Sequence, residues 1–269
     1  MLSGLIATGE RRRPARGWRP IFIALTVAIL VAGLVYLVRG YGGEGDGIKR
    51  FADFVLYRDA GARWLSGGPF YLPHQLAGPY VIEIGDVLYP PPTLLLFALL
   101  GILPIGLAAV VWWGVPAAVI AFCIWRLRPA AWSWPLLALT LWWTPTIDRI
   151  AVGNPLMWLA AAMYAATVFP GAAVLVALKP TLAPFALFRA NHRSWWITAG
   201  VLAAVSLVFL PLWFDYVKVL ENARSFAGAG YSFEETPALI GAIVAFLARE
   251  RAPAPPAAPP AAPPPPATV

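Results

Sequence analysis

Residues 20–38 read PIFIALTVAILVAGLVYLV, about 19 positions without a charge. A helix needs roughly 20 such residues to cross a bilayer, so this run points to lipid as its solvent. Backbone in hydrocarbon must satisfy its own hydrogen bonds, which leaves helices or a closed barrel. Further apolar runs follow at 92–103, 105–125, 132–143, 155–169, 171–188, 195–213 and 237–248. They are continuous rather than alternating in steps of two, which selects helices. Composition agrees, with 60% hydrophobic and 12% charged residues, against about 25% charged in a soluble domain. The expected fold class is all-α: a polytopic transmembrane helical bundle.

The first run is preceded by ERRRPARGWR. A basic leader ahead of an apolar stretch also describes a secretory signal. This stretch is longer than a signal core, however, and no small-x-small cleavage site follows it cleanly. The expectation is a retained first helix with its arginines in the cytoplasm. Gly40, Gly42, Gly43, Gly45 and Gly47 then end the helix, and a polar outer loop covers about 40–89. Arg189, Arg193, Arg249 and Arg251 read as cytoplasmic. Five crossings between the loop and Arg189 give the right parity but leave Arg126 and Arg128 outside. Making 92–103 and the segment around Lys179 re-entrant removes that conflict. The chain then divides into a basic leader (1–19), a membrane domain (20–251) and a tail (252–269). The tail, APAPPAAPPAAPPPPATV, is too rich in Pro and Ala to bury a core and predicts disorder or polyproline II.

The net charge of +7 comes from arginines at the N-terminus and at the ends of apolar runs. They orient spans and do not form the basic stripe that nucleic acid requires. The single cysteine, Cys123, lies inside an apolar run, so an intrachain disulfide and a cysteine zinc site are both excluded. GYGGEG at 40–45 matches a dinucleotide fingerprint literally, but a lipid-crossing helix precedes it where a strand is needed. His74 and His192 lack metal-pair spacing. No Walker loop, nucleophile elbow or Asp-x-Asp nucleotide signature occurs, and neither cofactor nor metal is expected.

The longest polar stretch holds the informative chemistry. On a helical wheel Lys49, Arg50, Asp53, Tyr57 and Trp64 share one sector, with Ile48, Phe51, Ala52 and Val55 opposite. This pattern predicts an amphipathic helix on the membrane surface with its polar face in water. Spacing alone favours a solvated face with a Lys49–Asp53 ion pair. Tyr89, ahead of Pro90, Pro91 and Pro92, opens an apolar helix, where proline is tolerated. Lys179 stands inside an apolar run, where a lysine costs about 2.5–3.5 kcal/mol unless it reaches water or a partner. Asp148-Arg149 and Gly153-Asn154-Pro155 form another polar island.

Four stretches carry a resemblance: ADFVLYRDAGARWLSGGPFY, LYPPPTLLLFALLGILP, IAVGNPLMWL and ALKPTLAPFALFRANHRSW, within roughly 52–196, with a weaker echo in GAGYSFEETPALIGAIVAFLAR. Together they resemble glycosyltransferase family 87, mannosyltransferase-like membrane enzymes with the C-type fold. The resemblance implies a polyprenyl-phosphate-linked hexose donor, often mannose, and transfer to a lipid or glycan acceptor on the outer face of a bacterial plasma membrane. It implies that Asp53, in its D-x-x-x-Y context with Tyr57, is the catalytic base, with Asp59 as a competing carboxylate. Lys49, Arg58, Arg63, Lys179 and His74 become candidates to offset the charge of the departing phosphate. Tyr57, Tyr89 and Asn154 complete the candidate substrate contacts.

The sequence departs from the family in two places. The family's Gly-Gln-x-Asn element appears as Gly153-Asn154-Pro155, without the Gln, and the proline tail stands where relatives continue with further transmembrane helices. The alternative readings are a shortened, non-enzymatic member of the same fold and a transporter. The partners expected on the leading reading are the lipid-linked sugar, the acceptor and membrane lipids, with no nucleic acid.

Overall fold

The computed structural model describes residues 16–41, 51–83, 85–223 and 233–249. Lys49, Arg50 and the tail 252–269 lie outside the described residues. Among those described there are helices and no β-strand, as the apolar runs require. Among the described residues two helices are each long and apolar enough to cross a membrane unbroken: α1 (Arg19–Tyr41) and α5 (Ile105–Leu127), each of 23 residues. At 1.5 Å per residue each is about 34 Å long. Only Gly33 of α1 is buried, against the indole of Trp142. Its Ile21, Val31 and Leu34 are exposed, an apolar surface suited to lipid.

Three short helices lie between them: α2 (Ala52–Leu65), α3 (Pro73–Ala77) and α4 (Leu94–Gly101). α2 and α4 cross at glycines. A Cβ on Gly61 would strike the Phe97 backbone, and one on Gly101 would lie 2.5 Å from the Ala62 nitrogen. This contact lets Tyr57 stack on Phe97, with centroids 4.6 Å apart, in an aromatic core shared with Phe54 and Trp112.

The expected orientation of α2 is corrected here. Phe51 adopts a left-handed backbone (φ 61°), so the helix begins at Ala52 and the wheel drawn from residue 48 does not continue through it. Tyr57 is buried and Asp53 half-buried, whereas Phe51 and Val55 are exposed. The face expected to meet water is turned into the protein, because ring burial outweighs exposure of the one carboxylate beside it.

After α5 come α6 (Trp134–Leu141), α7 (Thr144–Val152) and α8 (Leu156–Ala166). The run 171–188 is not one helix. A 3-10 stretch (Pro170–Leu178) stops at Lys179, which is extended, and a 3-10 turn (Pro180–Leu182) leads to α9 (Ala183–Ala186). The Arg189 guanidinium donates to the Ala166 and Thr167 carbonyls at 3.2 and 2.7 Å, so the two ends of this segment lie together and Lys179 is near its tip. The run 195–213 is likewise broken, into α10 (Arg193–Val208) and α11 (Leu210–Asn222), bent by 87°. Pro211 removes a helical N–H donor at that corner. The last described helix is α12 (Thr236–Leu247), which packs on α8 through Leu239, Ala242 and Ala245. Cys123 is buried in the same cluster, as its apolar setting suggests.

The bundle has a polar end and a basic end. Tyr36 and Tyr41, late in α1, donate to Asp148 of α7, while Trp113, early in α5, donates to the Ile150 carbonyl of α7. The far ends of α1 and α5, with Arg19, Arg126 and Arg128, therefore point away from α7 together. Arg249 joins them through a bridge to Pro129, and Arg189 and Arg249 both lie over the Phe246 ring. Arg126 and Arg128 thus share an end with Arg189 and Arg249. This is the arrangement expected when α4 and the Lys179 hairpin do not cross.

Candidate functional site

The site is built on the turn between α7 and α8. Gly153 is left-handed (φ 82°). Its N–H donates to the Ile150 carbonyl, and the N–H of Asn154 donates to that of Arg149. This double closure is a Schellman turn, for which glycine is the favoured residue. Glycine is needed a second time for space: a Cβ at 153 would sit 2.5 Å from the Cβ of Phe54. The indole of Trp112 donates to the Gly153 carbonyl at 3.0 Å and fixes the turn from its other side. The first turn of α2 is thereby pressed against Asn154.

Asn154 is buried, and its Oδ1 accepts the N–H of Leu156 at 3.1 Å, as a capping side chain does. The tyrosine hydroxyl of Tyr89 approaches the same oxygen at 3.4 Å. With Oδ1 so occupied, the amide NH₂ faces α2 and donates to Asp53 Oδ2 at 3.0 Å. Burial raises the Asp53 carboxyl above the ordinary aspartate range. The Asn154 hydrogen bond and the positive charges of Arg149 and Lys179 pull it partly back. The result is a half-exposed carboxylate, more basic than a free one and flanked by cations.

Lys179 enters from the hairpin tip. Its Nζ lies 2.7 Å from Glu235 Oε1, 2.5 Å from Oε2 and 5.8 Å from the centre of the Tyr89 ring. Glu235 is completely buried at the start of α12, and Arg149 Nε approaches its Oε1 at 3.6 Å. Asp53, Asn154, Tyr89, Lys179, Arg149 and Glu235 therefore form one polar cluster drawn from five separated stretches of chain. Tyr57 borders it, edge-on to Tyr89 with centroids 5.3 Å apart.

Other sequence-predicted residues are engaged elsewhere. Arg58 pairs with the exposed Asp59 at 3.1 Å and donates to the Leu103 carbonyl. Arg63 clamps the Pro69 and Phe70 carbonyls beyond α2. His74 pairs with buried Asp86 at 2.7 Å, edge-on to Tyr80. Lys49 lies outside the described residues. Arg149 entered the sequence reading only as part of a polar island, and Glu235 was not singled out at all. The signal for Glu235 was Lys179 itself, since a buried lysine needs a carboxylate. Glu234 and Glu235 were equal choices by sequence, and the fold exposes the first and buries the second.

The chain matches glycosyltransferase family 87 over residues 88–261, about two thirds of its length. It belongs to that family. Comparison with curated proteins and with solved structures found no match. Family 87 membership, together with helices able to span a bilayer, gives sugar transfer at a membrane as the activity class. The matched region holds Tyr89, Arg149, Asn154, Lys179 and Glu235. Asp53 precedes it, and the contact from Asn154 ties that aspartate to the matched part of the site.

Proposed function

We propose that this family 87 protein transfers a hexose, with mannose as the first expectation, from a polyprenyl-phosphate donor to a hydroxyl of a lipid or glycan acceptor. The observation that carries this reading is the placement of Asp53: half-buried, oriented by Asn154, and within the electrostatic reach of Arg149 and Lys179. An acceptor oxygen attacks the anomeric carbon as its bond to the donor phosphate breaks. The acceptor proton passes to Asp53, and the polyprenyl phosphate leaves with one more negative charge than it carried as a diester. Arg149 and Lys179 face that developing charge. Displacement of this kind inverts the anomeric centre. An outer-face location is supported by the arginines gathered at the opposite end of the bundle, since a basic end is the one expected on the cytoplasmic side.

The test is transfer from radiolabelled polyprenyl-phosphomannose in membranes containing the wild-type chain or Asp53→Asn. Loss of transfer by about 10²–10⁴-fold is expected of a general base. Asn keeps the size of the side chain and an oxygen to accept from Asn154, so the variant folds. Transfer that survives the substitution removes Asp53 as base. A folded wild-type chain that transfers nothing favours the non-enzymatic scaffold.

A further inference from the structure

At the basic end, away from the proposed active site, α5 ends at Arg128 in a left-handed conformation (φ 47°, ψ 60°). That position at a helix end favours glycine, and any other side chain is strained there. Arg128 is exposed, and its guanidinium has no hydrogen bond or ion pair with a described residue. It lines an open groove of about 580 Å³ whose other walls are Ala121, Ile124, Trp125, Pro129 and Trp134. Trp125 and Trp134 are 65% and 41% exposed, so two indoles flank the groove at the end of a membrane-length helix. Among the described residues no acidic side chain lines it.

We infer that this groove binds an anionic phospholipid of the surrounding bilayer, with its phosphate on Arg128 and an acyl chain along Ala121, Ile124, Trp125 and Trp134. Tryptophans at this depth sit where headgroups meet chains, and an exposed arginine between them, without a carboxylate partner among the described residues, selects a negatively charged headgroup. The apolar wall continues up α5 from the cation, which is the order of parts in a phospholipid. The left-handed residue that ends α5 is thus also the one cation that lines the groove among the described residues. Arg128 is 15 residues beyond Trp113, about 22 Å along the helix from the α7 contact. The site is therefore separate from the Asp53 cluster and does not rest on the proposed reaction.

The experiment uses the full chain in phosphatidylcholine nanodiscs containing a minor fraction of lipid brominated on its acyl chains. Bromine quenches tryptophan, and the share due to the groove is the part lost in W125F/W134F. Phosphatidylglycerol carrying bromine should quench that share as if enriched about fivefold over brominated phosphatidylcholine. Arg128→Gly should abolish the difference. Because glycine is the favoured residue at this backbone geometry, that variant should unfold at or above the wild-type temperature, which separates loss of binding from loss of structure. Equal quenching by the two lipids in the wild type overturns the inference. So does an undiminished preference in Arg128→Gly.

Discussion

Lys179 and Glu235 allow stability and catalysis to be separated. Their charged groups lie 2.5–2.7 Å apart, with the side chains 9% and 0% exposed. Removing one member of such a pair leaves a buried charge uncompensated, at about 3–5 kcal/mol. The two removals are unequal. Glu235→Leu leaves the Lys179 ammonium without its carboxylate and beside the positive Arg149, so its cost belongs near the upper figure. Lys179→Met leaves Glu235 with Arg149 at 3.6 Å, which offsets part of the loss, and its cost should be nearer about 2 kcal/mol. The double replacement fills the same volume with apolar atoms and should lie within about 1 kcal/mol of wild type. Arg149, a quarter exposed, then turns to water. The resulting coupling is about 6 kcal/mol, beyond the roughly 0.5–3 kcal/mol of ordinary contacting residues, because each single change strands a buried charge. Unfolding in mixed detergent and SDS micelles, followed by tryptophan fluorescence, measures all four chains. Additive single effects would refute the argument, and so would a double variant as unstable as Glu235→Leu. The stable double variant then answers the functional question. If the cations gathered by this pair offset charge on the departing phosphate, transfer falls about 10²-fold despite the intact fold. If the pair serves only the fold, transfer persists.

Further outcomes follow from the same structure. Transfer should rise with pH as Asp53 deprotonates, with a midpoint above the ordinary 3.8, and pH–rate profiles should lose that limb in Asp53→Asn. Because the folded carboxyl is raised, its contribution to stability is present below the unfolded pKa and lost as pH rises through the folded one. Asp53→Asn should therefore unfold at or above the wild-type temperature near neutrality, read by a thermal melt. Asn154→Ala removes a donor that lowers the Asp53 pKa, so the limb should move to higher pH, and loss of the Leu156 cap should cost about 1 kcal/mol. Gly153→Ala meets both a left-handed backbone and Phe54, and should cost more than the roughly 1–2 kcal/mol of the backbone term alone. Gly114→Ala, with only a Val110 methyl at 3.9 Å, should instead stabilise by roughly 0.5–1 kcal/mol in the same unfolding assay.

The helical class was legible because a run such as 20–38 admits almost no other backbone in lipid. Lys179 was legible for the same reason: a lone cation among apolar residues demands an explanation. The breaks were harder to read. The run 171–188 looks continuous by hydropathy, yet Pro170, Pro180 and Pro184 deny it helical donors, and only the Arg189 contacts reveal that it doubles back. α2 misled because the helical wheel assumes one unbroken helix, and Phe51 breaks it. Arg58, Arg63 and His74 shared the composition of a substrate site with Lys179. What separated them was the position of nearby carbonyls and of Asp86, none of which is a sequence property.

The hairpin explains why the candidate site needs the chain from Phe51 to α12. A hairpin tip in an apolar bundle strands the polar backbone around Lys179, and that lysine cannot stay charged there alone. Glu235 supplies the counter-charge from the start of α12, so closing the fold at its C-terminal side also fixes the hairpin. The anion draws Arg149 as well, and Arg149 supplies the carbonyl that closes the Gly153–Asn154 turn. The turn in turn sets the amide that holds Asp53. A buried carboxylate in a membrane bundle thus stands one contact from each cation and three from the proposed base. Its replacement by Gln, which keeps shape but not charge, should disturb the Asp53 pH limb more than a distant core change of equal destabilisation. If Glu235→Gln and a matched core variant shift that limb equally, the cluster is only a set of neighbours and the chain of contacts carries no electrostatic coupling.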